Sequence, residues 1–122
     1  MYEYDAEITS VYDGDTLTAT IDLGFGLFTK GAKLRLYGVN TPEMRGGTKA
    51  EKAKAIKARD YVREQVLGKK VRIKSEKKGK YGRYIATVWI VAEDGTTPDE
   101  SINEALIRKG MAELYMGDWV RK

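Results

Sequence analysis

Apolar and polar residues alternate most cleanly in Lys33-Leu34-Arg35-Leu36-Tyr37. Leu34 and Leu36 fall on one face of a strand there, with Arg35 and Tyr37 on the other. Comparable runs predict strands over residues 4–11, 16–23 and 32–39. Asp13-Gly14-Asp15 turns the chain between the first two, and Gly24 and Gly26 mark a second turn or bulge. The period changes at residue 48. Thr48 with Glu51 three residues on fits a capping box. Ala55, Ala58, Val62 and Val66 then make one apolar stripe on a helix over 48–67, which Gly68 ends. Two further strands are predicted at 69–76 and 83–92, joined by Lys77-Lys78-Gly79-Lys80-Tyr81-Gly82. Ser101 with Glu104 opens a short second helix that closes at Gly110. The order is three strands, a helix, two strands, a helix. Five short antiparallel strands with a helix after the third suit a small closed barrel of the OB type. The expected class is therefore mainly β with α, a five-stranded barrel plus helices. Neither a repeat nor a linker interrupts residues 1–122, which are read as a single domain.

Composition narrows the chemistry. Of 122 residues, 42% are apolar and 33% charged, which suits a folded globule better than a disordered chain. There is no histidine and no cysteine. Disulfides, thiol nucleophiles, Ser-His-Asp triads and zinc held by Cys or His are thereby excluded. Catalysis would have to run on carboxylates, Arg, Lys, Tyr, hydroxyls or a hard cation. No apolar run approaches a membrane span, and MYEYDAEITS lacks the basic and apolar regions of a signal peptide. The expectation is a cytoplasmic chain or a mature secreted form.

The net charge of +4 hides an asymmetry. Residues 1–44 carry 3 basic and 7 acidic side chains, residues 45–83 carry 15 and 4, and residues 84–122 carry 4 and 7. The middle third is a candidate surface for a polyanion, or else a helix kept soluble by lysine.

Three segments put charged groups at strand ends or in loops, where sites are usually built. In Asp13-Gly14-Asp15-Thr16 the two acids suit a hard cation such as Ca²⁺ or Mg²⁺, or else an Asx-turn that caps itself. In Arg35 through Glu43, Arg35 is either a salt-bridge staple or a fork for two phosphate oxygens. Glu43 follows a Thr-Pro turn and, with no histidine available, is the natural general base for water. Lys80-Tyr81-Gly82-Arg83 supplies a second guanidinium. Two arginines and one divalent metal could stabilise a phosphorane-like transition state.

These motifs, with Asn103-Glu104-Ala105-Leu106-Ile107-Arg108 before Gly110, resemble the staphylococcal nuclease family in order and spacing from about Ile8 to Ala112. The resemblance implies an OB barrel that hydrolyses phosphodiesters of DNA or RNA with one Ca²⁺, leaving 3′-phosphates. It implies that Arg35 and Arg83 neutralise the scissile phosphate and that Glu43 is the general base. Asp15 and the Thr41 carbonyl would ligate the metal, with Asp13 close behind. Lys80 and Tyr81 would contact a neighbouring phosphate. Asn40 stands where the family places a second metal-binding Asp, so weaker calcium binding is expected. The aromatic that stacks on a base in the family is best matched by Tyr115, offset by one, with Tyr84 and Trp119 as others. The expected partner is nucleic acid, with no membrane and no disulfide-linked chain, and the protein is read as a monomer. Two other readings are a catalytically inactive nucleic-acid-binding module and an OB-type protein-interaction domain. The intact Arg35, Glu43 and Arg83 favour the enzyme.

Overall fold

The computed structural model describes residues 3–45, 47–78 and 84–115. The chain begins with an antiparallel meander, β1 (Glu3–Asp13), β2 (Thr16–Gly24) and β3 (Leu27–Leu36). A two-residue strand, β4 (Val39–Asn40), leads towards helix α1 (Lys49–Val66). Next come β5 (Lys70–Lys78) and β6 (Tyr84–Ile90), then helix α2 (Ile102–Arg108) and β7 (Glu113–Leu114). The five long strands close a barrel in the order β1-β2-β3-β6-β5, and β4 pairs with β7 beside it.

Local signals place both helices. Thr48 accepts from the Glu51 amide while the Glu51 carboxylate accepts from the Thr48 amide, and Ser101 and Glu104 repeat the arrangement at α2. The buried stripe of α1 is Ala55, Ala58, Val62 and Val66, as the spacing predicts. The helix packs over β1, and Val62 and Val66 join a core that includes Ile8, Leu17, Leu34, Leu36, Val88 and Leu106. Each large aliphatic side chain buried there contributes about 1.5–3 kcal/mol, which is what holds the barrel closed.

Two expectations need correction. The strands are not all antiparallel: β3 and β6 run parallel, with Leu34 beside Tyr84 and Leu36 beside Ala86. The reason is topological, because five strands in a closed ring cannot alternate direction all the way round. The third strand also does not run through 32–39. It ends at Leu36, the chain turns at Tyr37-Gly38 with Gly38 at φ +80°, and Val39–Asn40 continue in a different sheet. Non-local hydrogen bonds hold that break. The Asn103 amide donates to the Tyr37 carbonyl at 2.9 Å, and the Tyr115 N–H donates to the Gly38 carbonyl at 2.8 Å. The turn after β1, the end of β3 and the segment from Asn40 onward thereby meet at one end of the barrel.

Candidate active site

Arg35 sits opposite Thr16 in the β2–β3 ladder, on the outer face of the barrel as the alternation predicts. It is nonetheless buried, because the chain folds back over it after Gly38. Its Nη1 donates to the Leu36 carbonyl at 3.1 Å and to the Val39 carbonyl at 2.9 Å. Its Nη2 lies 3.4 Å from the Asn40 amide oxygen and 3.8 Å from Asp15 Oδ2. The Tyr115 ring lies under the guanidinium, 5.0 Å from Cζ to the ring centre. Carbonyls, a carboxylate and an aromatic face thus orient one cation, an arrangement suited to a planar fork and not to a lysine.

The two aspartates of the first turn are both buried. Asp15 accepts from the Thr41 amide at 3.1 Å and from the Thr16 hydroxyl at 3.2 Å, and its own carbonyl accepts from the Leu36 amide at 3.0 Å. Asp13 accepts from the Met44 amide at 3.1 Å. One carboxylate therefore anchors each end of the 41–44 segment, which carries Glu43 out into solvent. Burial raises the Asp13 carboxyl above its ordinary value; the Met44 amide opposes this, and the charges of Asp15 and Glu43 add to the rise. The charges of Asp15 and Glu43 thus reach Asp13, with burial the larger cause of its rise.

Gly14 is required between these aspartates by close approach. A Cβ there would lie 3.0 Å from Thr41 Cγ2, 3.1 Å from Ala58 Cβ and 3.2 Å from Thr41 Oγ1. Gly14→Ala should destabilise the protein by about 1–3 kcal/mol, as overpacking usually does, because both neighbours are themselves fixed by burial. A denaturant midpoint unchanged from wild type would show that Thr41 moves freely.

Relatedness to known proteins bears on this geometry. The family model for staphylococcal nuclease homologues matches residues 33–121. The chain belongs to the staphylococcal nuclease family. It is 30% identical over 112 residues to the thermonuclease of Staphylococcus hyicus, covering 90% of this chain and 59% of that one. It is 27% identical over 115 residues to protein ParB of Escherichia coli, covering 93% and 58%. It is 29% identical over 127 residues to the probable endonuclease LCL3 of Komagataella phaffii, covering 89% and 54%. The chain spans little more than half the length of these relatives.

Within this staphylococcal nuclease homologue, Asp13, Asp15, Arg35, Asn40, Thr41, Glu43 and Tyr115 come to one end of the barrel. Lys80, Tyr81, Arg83 and Trp119 lie outside the described residues. Tyr84 is exposed on β6, opposite Leu34. Tyr115, the best-matched candidate for stacking on a base, lies against Arg35. Sequence reasoning assigned no role to the Asn103 side chain. It is buried, accepts from the Val88 amide at 3.1 Å, and donates to the Tyr37 and Ala86 carbonyls at 2.9 and 3.1 Å. It fixes the turn that presents the carbonyls around Arg35. An amide among the apolar positions of α2 was the available signal.

The donor set can be tested for a cation. Among the described residues, no three Asp or Glu side chains are grouped closely enough to enclose a metal by themselves. The oxygens of Asp15, Asn40 and Thr41 are nonetheless all hard donors, and the repulsion at Asp13 is what a cation would relieve. Thr41 Oγ1 is buried with no hydrogen-bond partner among the described residues. The residues fit a hard divalent ion bound through few protein ligands and water. The Asn40 oxygen, a neutral amide already 3.4 Å from Arg35, would be the weakest donor to such an ion.

Proposed function

We propose that this protein is a calcium-dependent nuclease that hydrolyses phosphodiester bonds of DNA or RNA and leaves 3′-phosphate ends. The observation that supports this most is the buried Arg35, held by two carbonyls and a ring beside the buried Asp15. Relatives named thermonuclease and probable endonuclease support the same reading.

Asp15, the Thr41 carbonyl and Asn40 would hold Ca²⁺, which when bound supplies charge neutralisation at the phosphate and a lower pKa for nearby water. Arg35 and Arg83 bind the non-bridging oxygens of the scissile phosphate and take up the charge that grows there. Glu43 is exposed on a segment pinned at Thr41 and Met44, and it accepts the proton of the attacking water. The hydroxide forms the new bond to phosphorus, the bond to the 5′-oxygen breaks, and that oxygen takes a proton from solvent. Lys80 and Tyr81 contact an adjacent phosphate. Tyr115, beside Arg35, is the ring that would stack on a base of the bound strand. The test is to digest a single-stranded oligonucleotide and read the ends by mass spectrometry. The expected products are 3′-phosphates with 5′-hydroxyls; 5′-phosphates throughout would overturn the assigned direction of cleavage.

The basic helix extends the substrate surface. Arg59 is paired to Asp60, and Arg63 donates to the Val11 carbonyl. Lys49, Lys52, Lys54 and Lys57 are exposed. Replacing these four by Gln should make the salt dependence of binding shallower, by about 0.7 in log–log slope for each phosphate that a lysine no longer neutralises. An unchanged slope would return α1 to a purely solubilising role.

A further inference from the structure

At the end of the barrel away from the site, β2 and β3 run on beyond their neighbours as a two-stranded ribbon. β1 pairs with β2 only as far as Ile21, and β6 pairs with β3 only over Leu34–Leu36. The ribbon tip is Leu23-Gly24-Phe25-Gly26-Leu27-Phe28. Phe25 is 103% exposed, and Leu23, Leu27 and Phe28 are 47%, 61% and 55% exposed. None of the four belongs to the core. Phe25 also has φ +55°, between Gly24 at +86° and Gly26 at +75°. Glycine or asparagine adopts that left-handed backbone more readily than phenylalanine. The turn is strained to hold an aromatic ring in water, and folding gains nothing from the ring. Strain of this kind, kept with no packing to offset it, points to a function outside the fold.

Charge connects the tip to the site. Along β3, from the tip towards Arg35, lie the exposed Lys30 and Lys33. Neither has a carboxylate partner among the described residues. Lys33 lies opposite Thr18 and Arg35 opposite Thr16, so both project from the outer face next to hydroxyls. Two of the nearby acids lie on β1, beyond β2, and the third, Asp22, sits on β2 opposite Phe28. Asp5 is paired with Lys70 and Arg72, Glu7 lies on β1 opposite Thr20, and Asp22 accepts from the Gly24 amide. The β3 run from Arg35 through Lys33 and Lys30 is therefore cationic and ends in two exposed aromatic rings, with the carboxylate of Asp22 across the ribbon from Phe28.

We infer that the β2–β3 ribbon is a second contact surface for a single nucleic-acid strand whose scissile phosphate lies at Arg35. Lys33 and Lys30 neutralise phosphates along the open side of β3, and Phe28 and Phe25 stack on bases at its end. The inference rests on the nuclease reading above. A single strand is the matching form because ring stacking needs base faces that a duplex keeps covered. The strand β2 spans roughly 25–30 Å from Thr16 to Gly24 at the usual rise, so only a substrate several nucleotides long reaches both places.

The test uses the full chain carrying Glu43→Gln, which should bind without cutting, and fluorescein-labelled oligothymidylates of 4 and 16 nucleotides. Phe25→Asn keeps the left-handed turn, and Phe28→Thr keeps a strand former, so thermal melting should not fall. The two together should weaken the 16-mer about 10–100-fold and leave the 4-mer unchanged. Lys30→Gln with Lys33→Gln should reduce the 16-mer salt slope by about 1.4. Unchanged 16-mer affinity, or equal weakening for both lengths, overturns the inference while the nuclease reading stands. If the Glu43→Gln parent binds neither oligonucleotide, both fall. Weaker binding of the tip variant to anionic phosphatidylserine vesicles, with 16-mer affinity intact, would assign the tip to a lipid surface and overturn the strand assignment.

Discussion

Glu43→Gln is expected to slow phosphodiester cleavage by about 10²–10⁴-fold with little change in nucleic-acid affinity. The carboxylate is exposed on the segment whose amides at Thr41 and Met44 are held by Asp15 and Asp13. Its backbone is therefore positioned by buried partners while its side chain remains accessible to water. Glutamine keeps the size and hydrogen-bonding reach and cannot take a proton. Because Glu43 fills no core space, the variant should melt at the wild-type temperature. Steady-state kinetics separate the outcomes: a fall in kcat at constant KM fits a general base. Equal activity in the variant would remove Glu43 from the chemistry and leave solvent or another carboxylate to accept the proton.

Arg35→Lys is the second large effect, expected at about 10²–10³-fold in kcat. Lysine keeps the charge and loses the planar fork. It cannot serve the Leu36 and Val39 carbonyls and Asn40 while also presenting two donors to a phosphate. Some stability should go as well, of order 1–3 kcal/mol, because buried carbonyls lose their donor. Activity should therefore be measured well below the melting temperature of the variant. A lysine variant with wild-type kcat would make Arg35 a structural staple for the turn after β3 and nothing more.

The features legible in the sequence were those set by near neighbours. The four-residue stripe on α1 and the two capping boxes involve residues three or four apart, and each appears where its spacing puts it. The alternation around Leu34 shows which way Arg35 projects. It could not show what covers Arg35, because the cover comes from Tyr115 and from β4, which needs β7 as its partner. The break at Tyr37-Gly38 was hidden for the same reason, since Asn103 holds it from 66 residues away. The parallel β3–β6 pairing depends on ring closure and has no local signal. Asp13, Asp15 and Glu43 were legible as candidates from residue type and turn context. That burial and the charges of Asp15 and Glu43 act together on Asp13 became apparent only once the first turn and the 41–44 segment were packed together.

The most direct measurement is cleavage of single-stranded DNA by the purified chain across a Ca²⁺ titration, with a chelator control. The expected result is cleavage that is absent with chelator and rises over roughly 10⁻⁴–10⁻³ M Ca²⁺, the range of sites with few charged ligands. Binding of the strand with no cleavage at any Ca²⁺ or Mn²⁺ concentration would contradict it and make this barrel a nucleic-acid-binding module without nuclease activity.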